Sequence, residues 1–208
     1  MKKIGKKGFT LIELLAVITI MGILMLVAIP AISRTIENSR RDTFMNLGKQ
    51  YIETVRNSVI ADEITCKETA TSTDYKMSVS ATLAGKYYIL LSTEALSGGT
   101  ANAYVSAQTN DIMESGGKSA WGNNDVKGVV VWEKTDNGTS GFKTTYSVAL
   151  IDKGQHGIAE ITSEDTLSRT NVLTKVDTGT IKYVDLTTPA NIASKFSVDS
   201  NALECKLK

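Results

Sequence analysis

Hydrophobic and polar positions divide the beginning of the chain into a basic stretch and an apolar stretch. Lysine occupies four of residues 1–8. The apolar stretch that follows has Glu13 as its one charged residue, and Leu14 to Ser33 contains no ionisable side chain. About 20 apolar residues in a helix cross a bilayer, so this stretch predicts a single membrane span. Because basic residues flanking a span stay in the cytoplasm, the rest of the chain is expected outside.

An amphipathic pattern continues beyond the predicted span. Apolar side chains recur mostly three, four, seven or eight positions apart, with charged residues on the opposite face. The apolar stripe comprises Ile36, Phe44, Leu47, Tyr51, Ile52, Val55 and Val59. The pattern predicts one helix from about Phe9 to Ile64, with its first half in lipid and its second half packed on a folded domain. Gly22 and Pro30 interrupt this helix, since glycine lowers helix stability and proline lacks a backbone donor.

The rest of the chain has the pattern of a small β-rich domain with many turns. The candidate strands are Tyr75–Ser80, Lys86–Ser92, Ala103–Ala107, Lys127–Lys134, Phe142–Leu150, Gly157–Ile161 and Thr180–Leu186. Residues 65–73 and most of 97–124 are expected to be loop, and Thr188 with Pro189 predicts the start of a short helix. The predicted fold class is therefore α+β, with a long N-terminal helix packed on an antiparallel sheet.

The junction between the basic and apolar stretches carries a specific motif. Residues 8–15 read GFTLIELL, and the small residue Gly8 precedes the apolar run, whereas a secretory signal has its cleavage site after that run. In this motif the chain resembles the type IV prepilins. The resemblance implies that a membrane-embedded prepilin peptidase cuts between Gly8 and Phe9 and methylates the new amine of Phe9. It also implies that the apolar helix is retained.

The acidic residue in the apolar stretch needs an explanation of its own. A carboxylate inside a span costs about 2.5–3.5 kcal/mol on insertion scales, so Glu13 is expected to have a partner. The resemblance implies that this partner is the methylated amine of Phe9 on a neighbouring subunit. The alternative is that Glu13 extends to the membrane interface. In similar assembled pili the segment between a glycine and a proline is often unwound, which assigns Gly22 and Pro30 to assembly.

Together these observations predict the organisation of the chain. Residues 1–8 form a cleaved leader, 9–33 a transmembrane and polymerisation helix, 34–64 an amphipathic helix, and 65–208 a β-rich head. The two cysteines, Cys66 and Cys205, lie in the exported part, where an oxidising exterior permits a disulfide between them. Two free thiols are the alternative. Many Gram-negative pilins close a short C-terminal disulfide loop, and its absence favours a Gram-positive source.

Composition and motifs favour a structural protein over an enzyme. The one histidine, His156, falls in a predicted turn and is expected to be solvated. The sequence shows no nucleophile, phosphate-loop or metal-ligand pattern, so no catalytic residue, metal or cofactor is predicted. Removing the four lysines of residues 1–8 changes the formal charge from +1 to −3, and no specific nucleic-acid partner is predicted.

The predicted function is that of a structural subunit of a type IV pilus, used for adhesion, motility, biofilm formation or DNA uptake. Its expected partners are further copies of itself, prepilin peptidase, the pilus assembly machinery and, before assembly, the cytoplasmic membrane. The protein would be a single-pass membrane protein first and part of an extracellular filament afterwards. The alternatives are a minor pilin or a type II secretion pseudopilin, and a membrane-anchored surface enzyme or receptor.

Overall fold

The computed structural model describes residues 9–78, 84–93, 96, 119–122, 124–138, 141–177, 179 and 181–208. These residues belong to two compact units, one that ends at Ser39 and one that runs from Arg40 to Lys208. The first unit is helical, and its large apolar side chains are exposed. The second unit contains a β-sheet with a hydrophobic core on both faces.

The described part of the chain contains two α-helices, two short 3-10 helices and seven strands. The α-helices are α1 (Leu11–Ile60) and α2 (Pro189–Lys195), and the 3-10 helices are Arg169–Asn171 and Tyr183–Asp185. The strands are β1 (Ile64–Lys67), β2 (Tyr75–Ser78), β3 (Gly85–Ser92), β4 (Val126–Asp136), β5 (Phe142–Asp152), β6 (Gly157–Ser163) and β7 (Leu203–Leu207). The predicted α+β class is confirmed by this content.

The strongest local sequence signals correspond to observed elements. Strands β3 to β6 lie where apolar runs predict them, and β2 is observed as far as Ser78. Thr188 caps α2 by accepting a hydrogen bond from the backbone N–H of Asn191, at 3.2 Å, and Pro189 occupies the first turn. Residues 79–80 of the β2 prediction and the predicted strand Ala103–Ala107 lie outside the described residues.

The structure corrects the sequence predictions around the two strands β1 and β7. Residues 65–73 are predicted as loop but contain most of β1, and no strand is predicted for β7. Both strands are short, and each buries only part of its side chains, so neither has a continuous apolar run. Helix α1 ends before the predicted Ile64, because Asp62 adopts a left-handed φ of 55° where the chain turns into β1.

A further correction concerns the predicted strand Thr180–Leu186. Among its described residues, Tyr183–Asp185 form a 3-10 helix. The side chain of Gln155 stabilises this conformation, since its Oε1 accepts the N–H of Tyr183 at 2.6 Å and its Nε2 donates to the carbonyl of Ile181 at 3.0 Å. A side chain distant in sequence therefore supplies the hydrogen bonds that a neighbouring strand would otherwise provide.

The described strands form one sheet in the order β2-β1-β7-β3-β4-β5-β6. Strand β7 is parallel to β3, and the other neighbouring pairs are antiparallel. The last strand in sequence therefore lies inside the sheet, where it joins β1 and β2 to the meander of β3 to β6.

The sheet of the second unit is covered on both faces. Residues of α1 such as Phe44, Tyr51 and Ile52 are fully buried in the cluster on one face. On the other face, Tyr183 of a 3-10 helix, Ile192 of α2 and the following Phe196 pack with residues of β3, β4 and β5. Burial on both faces explains why the central strands have continuous apolar runs.

Candidate processing and assembly site

The first unit exposes an apolar helical surface. All the large apolar side chains from Leu11 to Ile32 are at least half exposed, from 50% at Val17 to 84% at Leu11. Within the described residues, α1 is the one helix long and apolar enough to cross a membrane, and its most apolar window is not buried by the protein. Such a surface requires lipid or another protein surface to cover it.

Reciprocal hydrogen bonds between Thr10 and Glu13 cap the N-terminus of α1. The backbone N–H and the hydroxyl of Thr10 both donate to Oε2 of Glu13 at 2.8 Å, and the N–H of Glu13 donates to the Thr10 hydroxyl oxygen at 3.3 Å. This arrangement is a capping box, which satisfies backbone donors that the first helical turn leaves without partners. This capping box is not among the sequence predictions, although the spacing Thr-x-x-Glu is its usual signature.

The predicted cleavage bond joins Gly8 to Phe9. Phe9 lies before α1, and its side chain is 91% exposed. Gly8 lies outside the described residues.

Hydrogen bonds to the Glu13 carboxylate from the described residues go to Oε2. The other oxygen, Oε1, is therefore available to a donor from outside these residues.

A model of a known protein family matches the N-terminal region of the chain. Residues 4–29 match the family model described as the prokaryotic N-terminal methylation motif. The chain carries a type IV prepilin signal. No curated protein and no solved structure matches the chain. The prepilin signal supports a pilin-like or pseudopilin-type secreted subunit that is processed by prepilin peptidase, and the family defined by this motif is structural.

The prepilin signal also fits the membrane character of α1. It covers Gly8, Phe9, Glu13 and Gly22, and it ends just before Pro30. Together, the signal and the apolar helix fit a precursor anchored in a membrane and destined for assembly on the surface.

Gly22 and Pro30 both lie within a continuous α1. Proline has no N–H, so the carbonyl of Leu26, one turn before Pro30, lacks its usual helical donor. Apart from its chain neighbours and the nearby backbone of its own helix, no described atom lies within 4 Å of the position that a Cβ on Gly22 would occupy. The interval predicted to unwind in a filament is therefore helical in the separate subunit, and its unwinding on assembly stays a prediction.

The two cysteines both belong to the second unit. Cys66 in β1 faces Cys205 in β7, and the structure joins them in a disulfide with a Cα–Cα distance of 4.0 Å. Both residues are fully buried. Beside them, Nζ of Lys67 lies 2.6 Å from Oε2 of Glu204. The covalent bond and the ion pair link the strand after α1 to the last strand of the chain.

His156 lies in the turn between β5 and β6, as predicted, but it is not a solvated residue. Its side chain is 21% exposed, and Nδ1 lies 3.0 Å from the carboxylate of Asp152. The hydroxyl of Ser119 donates to the same buried carboxylate at 2.6 Å. The imidazole also stacks on Trp121, with ring centroids 4.6 Å apart. The prediction was wrong because one of these partners, Trp121, is distant from His156 in sequence.

The polar cluster around Asp152 differs from a hydrolytic triad. In such a triad the histidine lies between the carboxylate and the nucleophile, whereas here Asp152 lies between Ser119 and His156. Its observed contacts instead hold residues 119–122 against the β5–β6 turn. Among the described residues, no group of three or more His, Cys, Asp or Glu side chains is arranged to hold a metal ion.

Proposed function

We propose that the chain is a structural subunit of a type IV pilus, which polymerises through α1 into a surface filament. The observation that carries this proposal is the exposed apolar surface from Leu11 to Ile32, on the helix that bears the prepilin signal. In the membrane, lipid covers that surface, and in a filament the helices of other subunits replace the lipid. The filament would serve adhesion, motility, biofilm formation or DNA uptake.

Processing and assembly use different atoms of the same few residues. Prepilin peptidase cuts between Gly8 and Phe9 and methylates the released amine, which remains protonated. Oε1 of Glu13 then accepts a charge-assisted hydrogen bond from the amine of Phe9 on a neighbouring subunit, while Oε2 keeps its bonds to Thr10.

The Glu13 pair contributes more to register than to raw stability. Burying both charges costs much of what their attraction returns. A subunit docked out of register leaves the carboxylate and the amine unpaired in an apolar core, and that penalty selects the correct arrangement.

The proposed division of the chain follows from these roles. Residues 1–8 are the leader, 9–33 the membrane and polymerisation helix, 34–64 the amphipathic segment, and 65–208 the head. Gly22 and Pro30 weaken the helix between them, so this interval unwinds in the filament and allows the fibre to stretch.

A charge-specific substitution tests the proposal. Glu13→Gln keeps an oxygen that can accept the Thr10 hydrogen bonds but removes the negative charge, whereas Glu13→Ala removes both. We expect both variants to be inserted but to form few filaments, counted by electron microscopy of cells with an antibody to the head. Glu13→Gln, which keeps the cap, should also be processed normally. Immunoblots of membranes verify that processed subunit accumulates. Wild-type filament numbers with Glu13→Gln would contradict the pairing role.

A further inference from the structure

The capping box determines where α1 begins. Thr10 donates its N–H and its hydroxyl to Glu13, and α1 starts at Leu11, so Phe9 remains outside the helix. Without a stop signal, a long helix extends at little cost, because propagation is far cheaper than nucleation. The hydrogen bonds between Thr10 and Glu13 therefore fix the start of α1 at Leu11.

Without the capping box, the N-terminus of α1 can either fray or extend, and its surroundings determine which of the two occurs. In water such a helix frays from its end. Here fraying would expose backbone N–H groups of the apolar first turn to hydrocarbon, where they find no hydrogen-bond acceptor and are strongly unfavourable. Extension by one turn instead moves the unpaired N–H groups toward the interface, where water satisfies them. Loss of the cap is therefore expected to draw Phe9 into the helix.

We propose that Thr10 is a positioning residue for cleavage between Gly8 and Phe9. The inference rests on the proposed processing of the chain. In the cleavage step water adds across the peptide bond, leaving a carboxyl group on Gly8 and an amino group on Phe9. A peptidase must reach that backbone from the side, and a helix covers its own backbone with side chains and internal hydrogen bonds. By holding Phe9 outside α1, the capping box keeps the substrate in a cleavable conformation.

This role predicts a particular kinetic effect. If loss of the cap leaves only a fraction of the substrate with Phe9 outside the helix, KM rises in inverse proportion to that fraction. The bound substrate is always in the competent conformation, so kcat is unchanged. An N-cap of ordinary strength changes the equilibrium constant between the two conformations about fivefold, so the competent fraction falls, and KM rises, by up to about fivefold. General misfolding would instead lower the rate at saturating substrate.

The test uses the full-length chain in detergent micelles with purified prepilin peptidase. Thr10→Val removes the hydroxyl at nearly constant volume and should raise KM by up to about fivefold at unchanged kcat. Thr10→Ser restores a capping hydroxyl and should return KM to the wild-type value. Thr19→Val is a matched control, because Thr19 also lies on α1 but its hydroxyl donates to the carbonyl of Ala16 at 2.8 Å.

A second measurement follows the conformation directly. The 13Cα chemical shift of Phe9 should move toward helical values in Thr10→Val and should stay at the wild-type value in Thr19→Val. An unchanged KM in Thr10→Val, or a KM in Thr10→Ser as high as in Thr10→Val, would overturn the role of Thr10 while leaving the proposed function intact. Failure of the peptidase to cut the wild-type chain between Gly8 and Phe9 would instead contradict the proposed function itself.

Discussion

The disulfide between Cys66 and Cys205 gives the sharpest prediction about the stability of the head. The two residues are 139 positions apart in sequence, so the bond closes a long loop in the unfolded chain. In the chain-entropy model a loop of this length stabilises the folded state by about 5 kcal/mol, and measured disulfides more often contribute about 2–4 kcal/mol. Because Cys205 lies in β7, inside the sheet, we expect its loss to destabilise the whole head and not only one edge.

The perturbation is the double substitution Cys66→Ala/Cys205→Ala, examined beside the wild type with and without reductant. Tryptophan emission suits the assay, because Trp121 and Trp132 are the chain's two tryptophans and both are buried in the second unit. In urea, with an m value of about 2 kcal/mol/M, a loss of 2–5 kcal/mol lowers the midpoint by about 1–2.5 M.

The double variant also provides the control for the reductant. Reductant should lower the midpoint of the wild type toward that of the variant, and it should leave the variant unchanged. A reductant effect below about 0.5 M on the wild type would refute the reasoning, because it would show either that the bond is absent or that it does not restrict the unfolded chain.

Two further substitutions test the packing and electrostatics of the second unit. Gly128→Ala in β4 would place a Cβ 2.1 Å from the carbonyl oxygen of Ala149, so we expect a loss of about 3 kcal/mol or more in urea unfolding; a wild-type midpoint would contradict this. Nε of Arg169 donates to Asp42 at 2.6 Å and lowers the pKa of that carboxyl. The resulting stability is present above about pH 4 and is lost as pH falls through the lowered pKa. Arg169→Gln should therefore lower the urea midpoint at pH 7 but not in strong acid, and equal midpoints at pH 7 would show that the pair does not stabilise the fold.

The features that sequence predicts well depend on neighbouring residues. The long helix follows from its apolar run and stripe, and the β4–β5 hairpin follows from two apolar runs around Asn137-Gly138. The N-cap at Thr188 is equally local. In each case the residues that determine the structure lie within a few positions of one another.

The features that sequence misses depend on distant partners. Strand β7 is short and becomes part of the sheet because β1 and β3 flank it. His156 is fixed by Asp152 within its own turn, but also by Trp121, which no pattern relates to it. The Thr10–Glu13 capping box is an exception, because its partners are three residues apart and its Thr-x-x-Glu signature is present in the sequence.

The most direct test of the central claim is the N-terminal structure of the protein recovered from the cell surface. Filaments are sheared from cells, and the N-terminal peptide of the subunit is identified by mass spectrometry. We predict a chain that begins at Phe9, carries a methyl group on its amine and lacks residues 1–8. A chain that retains residues 1–8 and is found in membranes but never in sheared filaments would contradict it.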